Sequence, residues 1–593
     1  MDRSSITKWL LLGLAIFLFW QYGRKAIGLG PTANEKQPIN IWADVSAPVA
    51  AERSPKETCR IETGDFKAEL SSRGGSLRHF TLKNGNYYRT NDKDQYDRTG
   101  VMDLVQTWDE GRLPLRTNLR TPDAAAPQQT AFDDVDWKLA TSDATSCTFT
   151  HVDATTSLTK IVRATGKPYE LEVELKVQNL AAEPKMHRLA FEQTSYIKKK
   201  DIEAGFMRRQ SEHTTETISS AGDKTERQAP TDFDPDSFKK KEFTTEGWRR
   251  TPGDARFAAV STSYFSNIAI PLEGPAAPAA ETRIEDIWNP IFVERSKDPE
   301  LGHIYRARLA YPPKELKQGE TAEYKVLAFN GPKERHLLAA VGHGATDVLN
   351  LGTFAPIARA LVWYLTWLFH LTGSWGVAII LMTITVKTLL FPLSLTQIKS
   401  SIAMRKLKPE MDVLNEKYKD DATQRGLATQ ALWKKNGITN PVLGCLPMLL
   451  QMPVWWALYS ALQTAVELYH VPFGPFIPDL ASPGKYFIIP IVLGASSFMQ
   501  QRMMPPQGDA QQQKMMMYMM PAVFTFMMLF LPAGLGVYML TNTWLGIGQQ
   551  LLVERYLKAK SSSPGTIEVR EKTEGGGGKP TATLGKGKAR VRG

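Results

Sequence analysis

Five long apolar runs follow one another late in this chain, and they constrain its fold more than any other feature. They cover residues 374–396, 441–466, 486–501, 515–532 and 533–556. One such run could be the buried helix of a soluble domain. Five in series read as a polytopic α-helical membrane protein. The last two are separated only by Leu531-Pro-Ala-Gly534, a tight turn. A chain-wide average hides this pattern, because residues 56–350 are polar with scattered apolar alternation.

The formal net charge of +11 is concentrated in two places. Residues 397–436 hold nine Lys/Arg against five Asp/Glu, and residues 558–593 hold nine against three. A local surplus of this kind argues against a nucleic-acid-binding face spread over a domain. It fits loops retained on the cytoplasmic side. The 397–436 loop and a basic, disordered 557–593 tail are therefore expected inside. The 467–485 loop is expected outside and the 502–514 loop inside. Working backwards, the polar domain lies outside and the N-terminus inside.

Residues 6–22 form a further apolar stretch after a basic start, and residues 1–25 read as an uncleaved signal anchor. Residues 26–55 are Pro/Ala-rich and read as a linker. Within 56–350, Leu171, Val173, Leu175 and Val177 alternate with charged residues, and Phe66, Ala68 and Leu70 alternate before Gly74-Gly75. Residues 324–329 give another strand, so the domain is expected to be a β-sandwich with one wet face per sheet. The polar segment 207–247 reads as a long loop. His79, His151, His187 and His213 are scattered and form no catalytic constellation. Of three cysteines, Cys59 and Cys147 either pair or remain free thiols; Cys445 completes the set, and no zinc or redox spacing occurs.

Residues 354–370 place Phe354, Ile357, Ala358, Leu361, Leu365, Leu368 and Phe369 at helical spacing, with Pro356 and Arg359 leaving the run too short to span. They read as an amphipathic helix at the outer interface. Lys387 lies inside the 374–396 run, nine residues before Thr396, hence roughly 13 Å from the inner end at about 1.5 Å per residue. A lysine stem reaches only ~6 Å, and no acid lies at depth in the five runs; Glu467 and Glu554 only border them. Either Lys387 snorkels or is neutral, or it faces a wet cavity lined by Thr383, Gln451, Tyr538, Thr541 and Asn542.

Ten of the twenty methionines fall within residues 499–528. They are either gap filler or an adaptable apolar surface. In the basic loop, Met404, Leu407, Met411, Leu414 and Tyr418 recur at 3-4-3-4 spacing, which predicts one helix with an apolar seam. A second helix over about 421–436 makes a cytoplasmic helical hairpin. Its Arg405, Lys406 and Lys408 either serve topology alone or meet anionic lipid or ribosomal RNA.

The stretch NPVLGCLPMLLQMPVWWALY at 440–459 resembles the signature of the YidC-type membrane protein insertases (the YidC/Oxa/Alb family). The similarity runs through TITVKTLLFPLS (383–394), GDAQQQKMMMYMMP (508–521) and FLPAGLGVYMLTN (530–542), and the layout is similar to the Gram-negative form. The resemblance implies six spans in the bacterial inner membrane with both termini cytoplasmic, and a large periplasmic domain. It also implies a hydrophilic groove open to cytoplasm and lipid. Lys387 stands where many members carry Arg, which keeps the charge without the bidentate fork. Thr383, Gln451 and Tyr538 match groove or client-contact positions, with Asn542 beside them. Met448, Pro453, Met516, Met520 and Phe524 would form the apolar surface along which a client slides. Expected partners are nascent membrane proteins, the Sec translocon, the ribosome and the bilayer. No cofactor, metal or catalytic residue is expected. The rival readings are an anion channel or carrier that uses Lys387 as its binding cation, and a sugar-binding enzyme on a membrane anchor.

Overall fold

The computed structural model describes residues 39–40, 55–89, 100–107, 112–120, 137–198, 214–233, 247–289, 300–418 (except 353), 421–436, 453–484 (except 455 and 463), 487–503 and 510–562. The expected anchor at 1–25, His213, most of the 26–55 and 441–466 segments, the middle of the 502–514 loop and the tail beyond 562 lie outside the described residues.

Two large, mainly antiparallel sheets face each other across the core of the first half. The nine-stranded sheet is built on Thr156–Ala164, Glu170–Asn179, Thr321–Pro332 and Phe265–Glu273, which lie side by side. The seven-stranded sheet centres on Ala279–Asn289, Glu300–Ala310 and Lys185–Lys198. Alternation dictates the packing. Leu171, Val173, Leu175 and Val177 are all buried, and they meet Leu189, Phe191, Tyr305 and Leu309 in one apolar cluster. This is mostly a β-sandwich.

The expected wet face is drier than alternation alone suggests. Glu170 and Glu174 on the polar side of their strand are also buried. Arg163 reaches Glu172 at 2.6 Å and Glu174 at 2.8 Å across the strands, and Lys176 holds Glu174 at 3.1 Å. Such cross-strand charge pairs contribute roughly 0.2–1 kcal/mol each.

Two further expectations are corrected, and one open alternative is decided. Ile39–Asn40, inside the supposed linker, pairs in parallel with Ala279–Asn289. The supposed 207–247 loop contains a hairpin of Glu216–Ala221 with Lys224–Gln228, followed by a 3-10 turn at Pro230–Phe233. Its Thr/Ser/Glu composition concealed it: Ile218 and Ala221 are its buried hydrophobic side chains. Cys59 and Cys147, whose pairing the sequence left open, form a disulfide that joins a three-stranded sheet to the nine-stranded one.

The helical half begins with α1 (Arg335–Val341) and α2 (Ala355–Thr372). Then come α3 (Trp375–Leu389), α4 (Phe391–Lys406), α5 (Lys408–Lys417) and α6 (Ala422–Lys435). Residues 453–464 are helical wherever described, and we count them as α7. The last three are α8 (Ile488–Met503), α9 (Ala510–Met528) and α10 (Ala533–Ser562). α10 packs on α3, α4 and α8, and α8 packs on α9.

Several boundaries differ from the sequence reading for identifiable reasons. The 374–396 run breaks at Leu390, because Pro392 in the next turn lacks the N–H that would continue the ladder. The single seam helix expected over 404–418 breaks at Leu407, just before Pro409. The second hairpin helix starts where expected, with the Asp421 carboxylate accepting from the backbone N–H groups of Thr423 at 3.0 Å and Gln424 at 2.9 Å. α9 starts inside the expected 502–514 loop, and α10 runs to Ser562, into the expected tail. Among the described residues, no helix is long and apolar enough to cross a membrane. α3, with 15 residues, is about 22 Å long at about 1.5 Å per residue.

Candidate functional site: a lysine between three helices

α3 divides into two halves with different surroundings. Toward the β-domain, Ala378, Ile379, Met382 and Thr383 are buried, together with Leu535 and Tyr538 of α10 and Leu480. Glycine allows the close fit here. A Cβ on Gly376 would strike the Phe473 ring, and one on Gly534 would lie 3.1 Å from the Leu480 carbonyl oxygen. This half is a closed plug.

One turn further along α3 the lining turns polar. Lys387 is half-buried at the end of the helix. Its Nζ lies 3.8 Å from the position that a Cβ on Gly546 would occupy, and Gln500 Nε2 lies 2.9 Å from the same point. Lys387 of α3, Gln500 of α8 and Gly546 of α10 therefore converge. Among the described residues Lys387 makes no ion pair.

Polar contacts line the same seam between α8 and α10. The Trp544 indole N–H donates to Ser496 Oγ at 2.9 Å, and Gln550 Nε2 donates to the Met503 carbonyl at 2.7 Å. Arg405 of α4 pairs with Glu554 of α10 at the far end. Many hydroxyls along these helices donate back to the carbonyl four residues earlier: Thr383 to Ile379 at 2.7 Å and Thr541 to Val537 at 2.8 Å. Those groups are satisfied within their own helix, as an apolar surrounding demands.

The structure separates the expected site residues. Thr383 and Tyr538 are buried in the plug, one turn and more from the polar seam. Asn542 is half-buried on α10. Gln451 and Met448 lie outside the described residues, and Pro453 is half-buried in α7. On α9, which includes Met516, Met520 and Phe524 are half-buried, whereas the exposed face carries Met515, Tyr518, Met519, Val523 and Phe526. Of the basic trio, Arg405 is engaged with Glu554, Lys406 is exposed, and Lys408 opens α5. Sequence reasoning missed Gln500, Ser496, Trp544 and Gly546. The available signal was Ser496 and Gln500 at i and i+4 in an apolar run, hence on one helix face.

The β-domain holds its own buried charges differently. Glu281 is fully buried and accepts from Arg250 at 2.7 Å and Arg308 at 2.7 Å. Burial pushes the Glu192 carboxyl up, but Arg306 and Arg308 outweigh it and bring it down to about 2. Burial lowers the Lys160 ammonium to about 7; its Nζ donates to the Leu115 carbonyl at 2.6 Å and Thr117 Oγ at 2.9 Å.

The family model described as "YidC periplasmic domain" matches residues 58–364, and the one described as "60Kd inner membrane protein" matches 367–560. A protein named "Membrane protein insertase YidC" from Anaeromyxobacter sp. (strain K) is 33% identical over 513 residues, covering 85% of this chain and 86% of its own. One of the same name from Anaeromyxobacter dehalogenans (strain 2CP-1) is likewise 33% identical over 513 residues, 85% and 86% of the two chains. A solved structure described as an active YidC insertase with its first transmembrane domain resolved is 18% identical, covers 85% of this chain and 93% of its own, and has a TM-score of 0.35. The first family model takes in the β-sandwich, α1 and the start of α2, the second takes in the helices that follow, and on that match and the identity to these relatives this chain belongs to the YidC family of inner membrane proteins with a periplasmic domain.

Proposed function

We propose that this protein inserts other membrane proteins into the inner membrane, using the polar seam around Lys387 as the entry for a client's polar flank. The observation that carries the reading is the convergence of Lys387 and Gln500 on Gly546, with no carboxylate paired to the lysine among the described residues. A cation beside the Gln500 amide attracts an acidic segment without a fixed internal partner competing for it. The plug of Thr383, Tyr538 and Phe473 favours a groove closed toward the periplasm and open toward the cytoplasm.

The topology belongs to the proposal: six spans, both termini cytoplasmic, α2 on the outer interface and α4–α6 reaching into the cytoplasm. α3 at about 22 Å falls short of a hydrocarbon core of about 30 Å, and such a mismatch is met by locally thinning the bilayer. A thinner, wetter crossing lowers the barrier for the client's polar end. Burial of the client's apolar segment, at about 25 cal/mol per Å², then drives the step without nucleotide. The exposed face of α9, the helix that carries Met516, Met520 and Phe524, supplies adaptable contact for that segment as it passes toward lipid, and Met448 and Pro453 are proposed to add to that surface. Lys406 and Lys408, with the basic tail, would meet the ribosome or anionic lipid, and the Sec translocon is a candidate partner for larger clients.

The test is insertion in cells depleted of the native protein and supplied with Lys387→Ala or Lys387→Glu at matched levels. The expected result is a loss of about tenfold or more for clients with an acidic translocated tail, the scale of one charge-assisted contact. Normal insertion of a whole panel of such clients would discard the charge role. Crosslinking from α7 and α9 to a stalled nascent membrane protein tests the sliding surface. The anion-carrier reading rests on the same unpaired cation, and it requires Lys387-dependent solute flux in liposomes. The sugar-enzyme reading is disfavoured because Glu192 and Glu281 are held by arginines.

A further inference from the structure

Where the last long strand of the β-domain leads into α1, a cavity opens between the two halves of the molecule. Lys333, Arg335, Arg359 and Glu467 line it, and Leu349 and Val362 are among its apolar walls. Lys333 is committed: its Nζ is buried and donates to the Thr262 carbonyl at 2.8 Å and Ser261 Oγ at 3.3 Å. The two arginines are exposed, and neither makes an ion pair among the described residues. A 3.4 Å hydrogen bond from Arg335 Nη1 to the Arg359 carbonyl holds them together.

Glu467 lines the same cavity, and the Arg335 backbone N–H donates to its carboxylate. Burial, with Glu334 adding repulsion, pushes its carboxyl up to about 7. That shift weakens its negative charge near neutral pH. The surroundings of the cavity are those of a membrane interface. α2, which contributes Arg359 and Val362, exposes Trp363, Trp367 and Leu371 at i, i+4 and i+8 on one side.

We propose that this cavity binds the phosphodiester head group of an anionic phospholipid, with Arg335 and Arg359 on the phosphate and the acyl chains leaving past Val362 along the apolar face of α2. The proposal rests on the reading of α2 as an interfacial helix. Planar guanidinium groups match phosphate oxygens, and the apolar walls suit an amphiphile better than an acidic peptide.

The experiment uses the full chain in neutral detergent, with phosphatidylglycerol or phosphatidylcholine added and bound lipid counted by native mass spectrometry. The wild type should retain phosphatidylglycerol about tenfold better than phosphatidylcholine, as for one charge-assisted contact. The R335Q/R359Q variant should lose that preference while melting normally. Val362→Trp, which fills the cavity and leaves every charge in place, should lose it as well. Inorganic phosphate should not displace the lipid; displacement would mark a free-anion site and overturn the proposal. Equal retention of the two lipids by wild type, or wild-type retention by either variant, would also overturn it. In bilayers, brominated lipid should quench Trp363 and Trp367. Absence of quenching sinks the interfacial reading and the site with it, whereas quenching without lipid preference sinks the site alone. Lys387→Ala should retain phosphatidylglycerol as wild type does, which keeps this outcome separate from that of the insertion assay.

Discussion

In the β-domain, Glu281 is fully buried and gripped by Arg250 and Arg308, the latter stacked 3.7 Å above the Trp248 ring. In the helical half, Lys387 has for neighbours the amide of Gln500 and the bare backbone of Gly546. Both charges are removed from bulk water to some degree, yet one is locked into a pair and the other is left available. A buried pair becomes expensive only when one partner is removed. A lone cation keeps its electrostatic demand for whatever enters. The first arrangement serves the fold, and under the proposed function the second would keep a site ready for a transient guest.

The contrast can be broken most forcefully at the disulfide, which closes a separation of 88 residues between Cys59 and Cys147. Cys147→Ser should destabilise the β-domain by about 4 kcal/mol, read as a lower melting temperature of the detergent-solubilised chain. Next comes Glu281→Ala, which strands Arg308 and should cost about 3–4 kcal/mol in a denaturant titration. A loss below 1 kcal/mol would mean that the arginines find water and that this half tolerates lone charge too.

Lys160 gives a smaller, pH-dependent effect. Burial lowers its ammonium to about 7, while the unfolded chain holds the proton to about 10.5. Between those values the unfolded state binds more protons, so stability rises with pH, by at most about 1.4 kcal/mol per unit. Melts from pH 7 to 10 should show that slope, and Lys160→Met should remove it. The smallest expected effect is Lys387→Ala, under about 1 kcal/mol of stability, because no bound partner is stranded. A large loss of melting temperature there would recast Lys387 as structural.

Much of this contrast was legible in the sequence, because period-2 alternation and a charge in an apolar run are local signals. The strands around Phe66, Leu171 and Tyr324 follow from alternation, and Lys387 announced itself by its neighbours. The Glu216–Gln228 hairpin did not, since its burial relies on Ser and Thr rather than on large apolar residues. The breaks at Leu390 and Leu407 were hidden by apolar seams that run on past Pro392 and Pro409. The neighbours of Lys387 were hidden for another reason: Gln500 and Gly546 are distant in sequence and meet it only through the packing of three helices. The disulfide was undecidable because spacing alone does not select one pairing over free thiols.

The bare backbone at Gly546 offers a handle that no charge substitution provides. A methyl group there would press on Gln500 Nε2 and narrow the space beside the Lys387 ammonium while leaving the charge inventory unaltered. Gly546→Ala thus separates room for water from attraction for an anion. A groove that works chiefly by hydration would respond to that one methyl more than to Lys387→Arg, and a groove that works by attraction would rank the two the other way round.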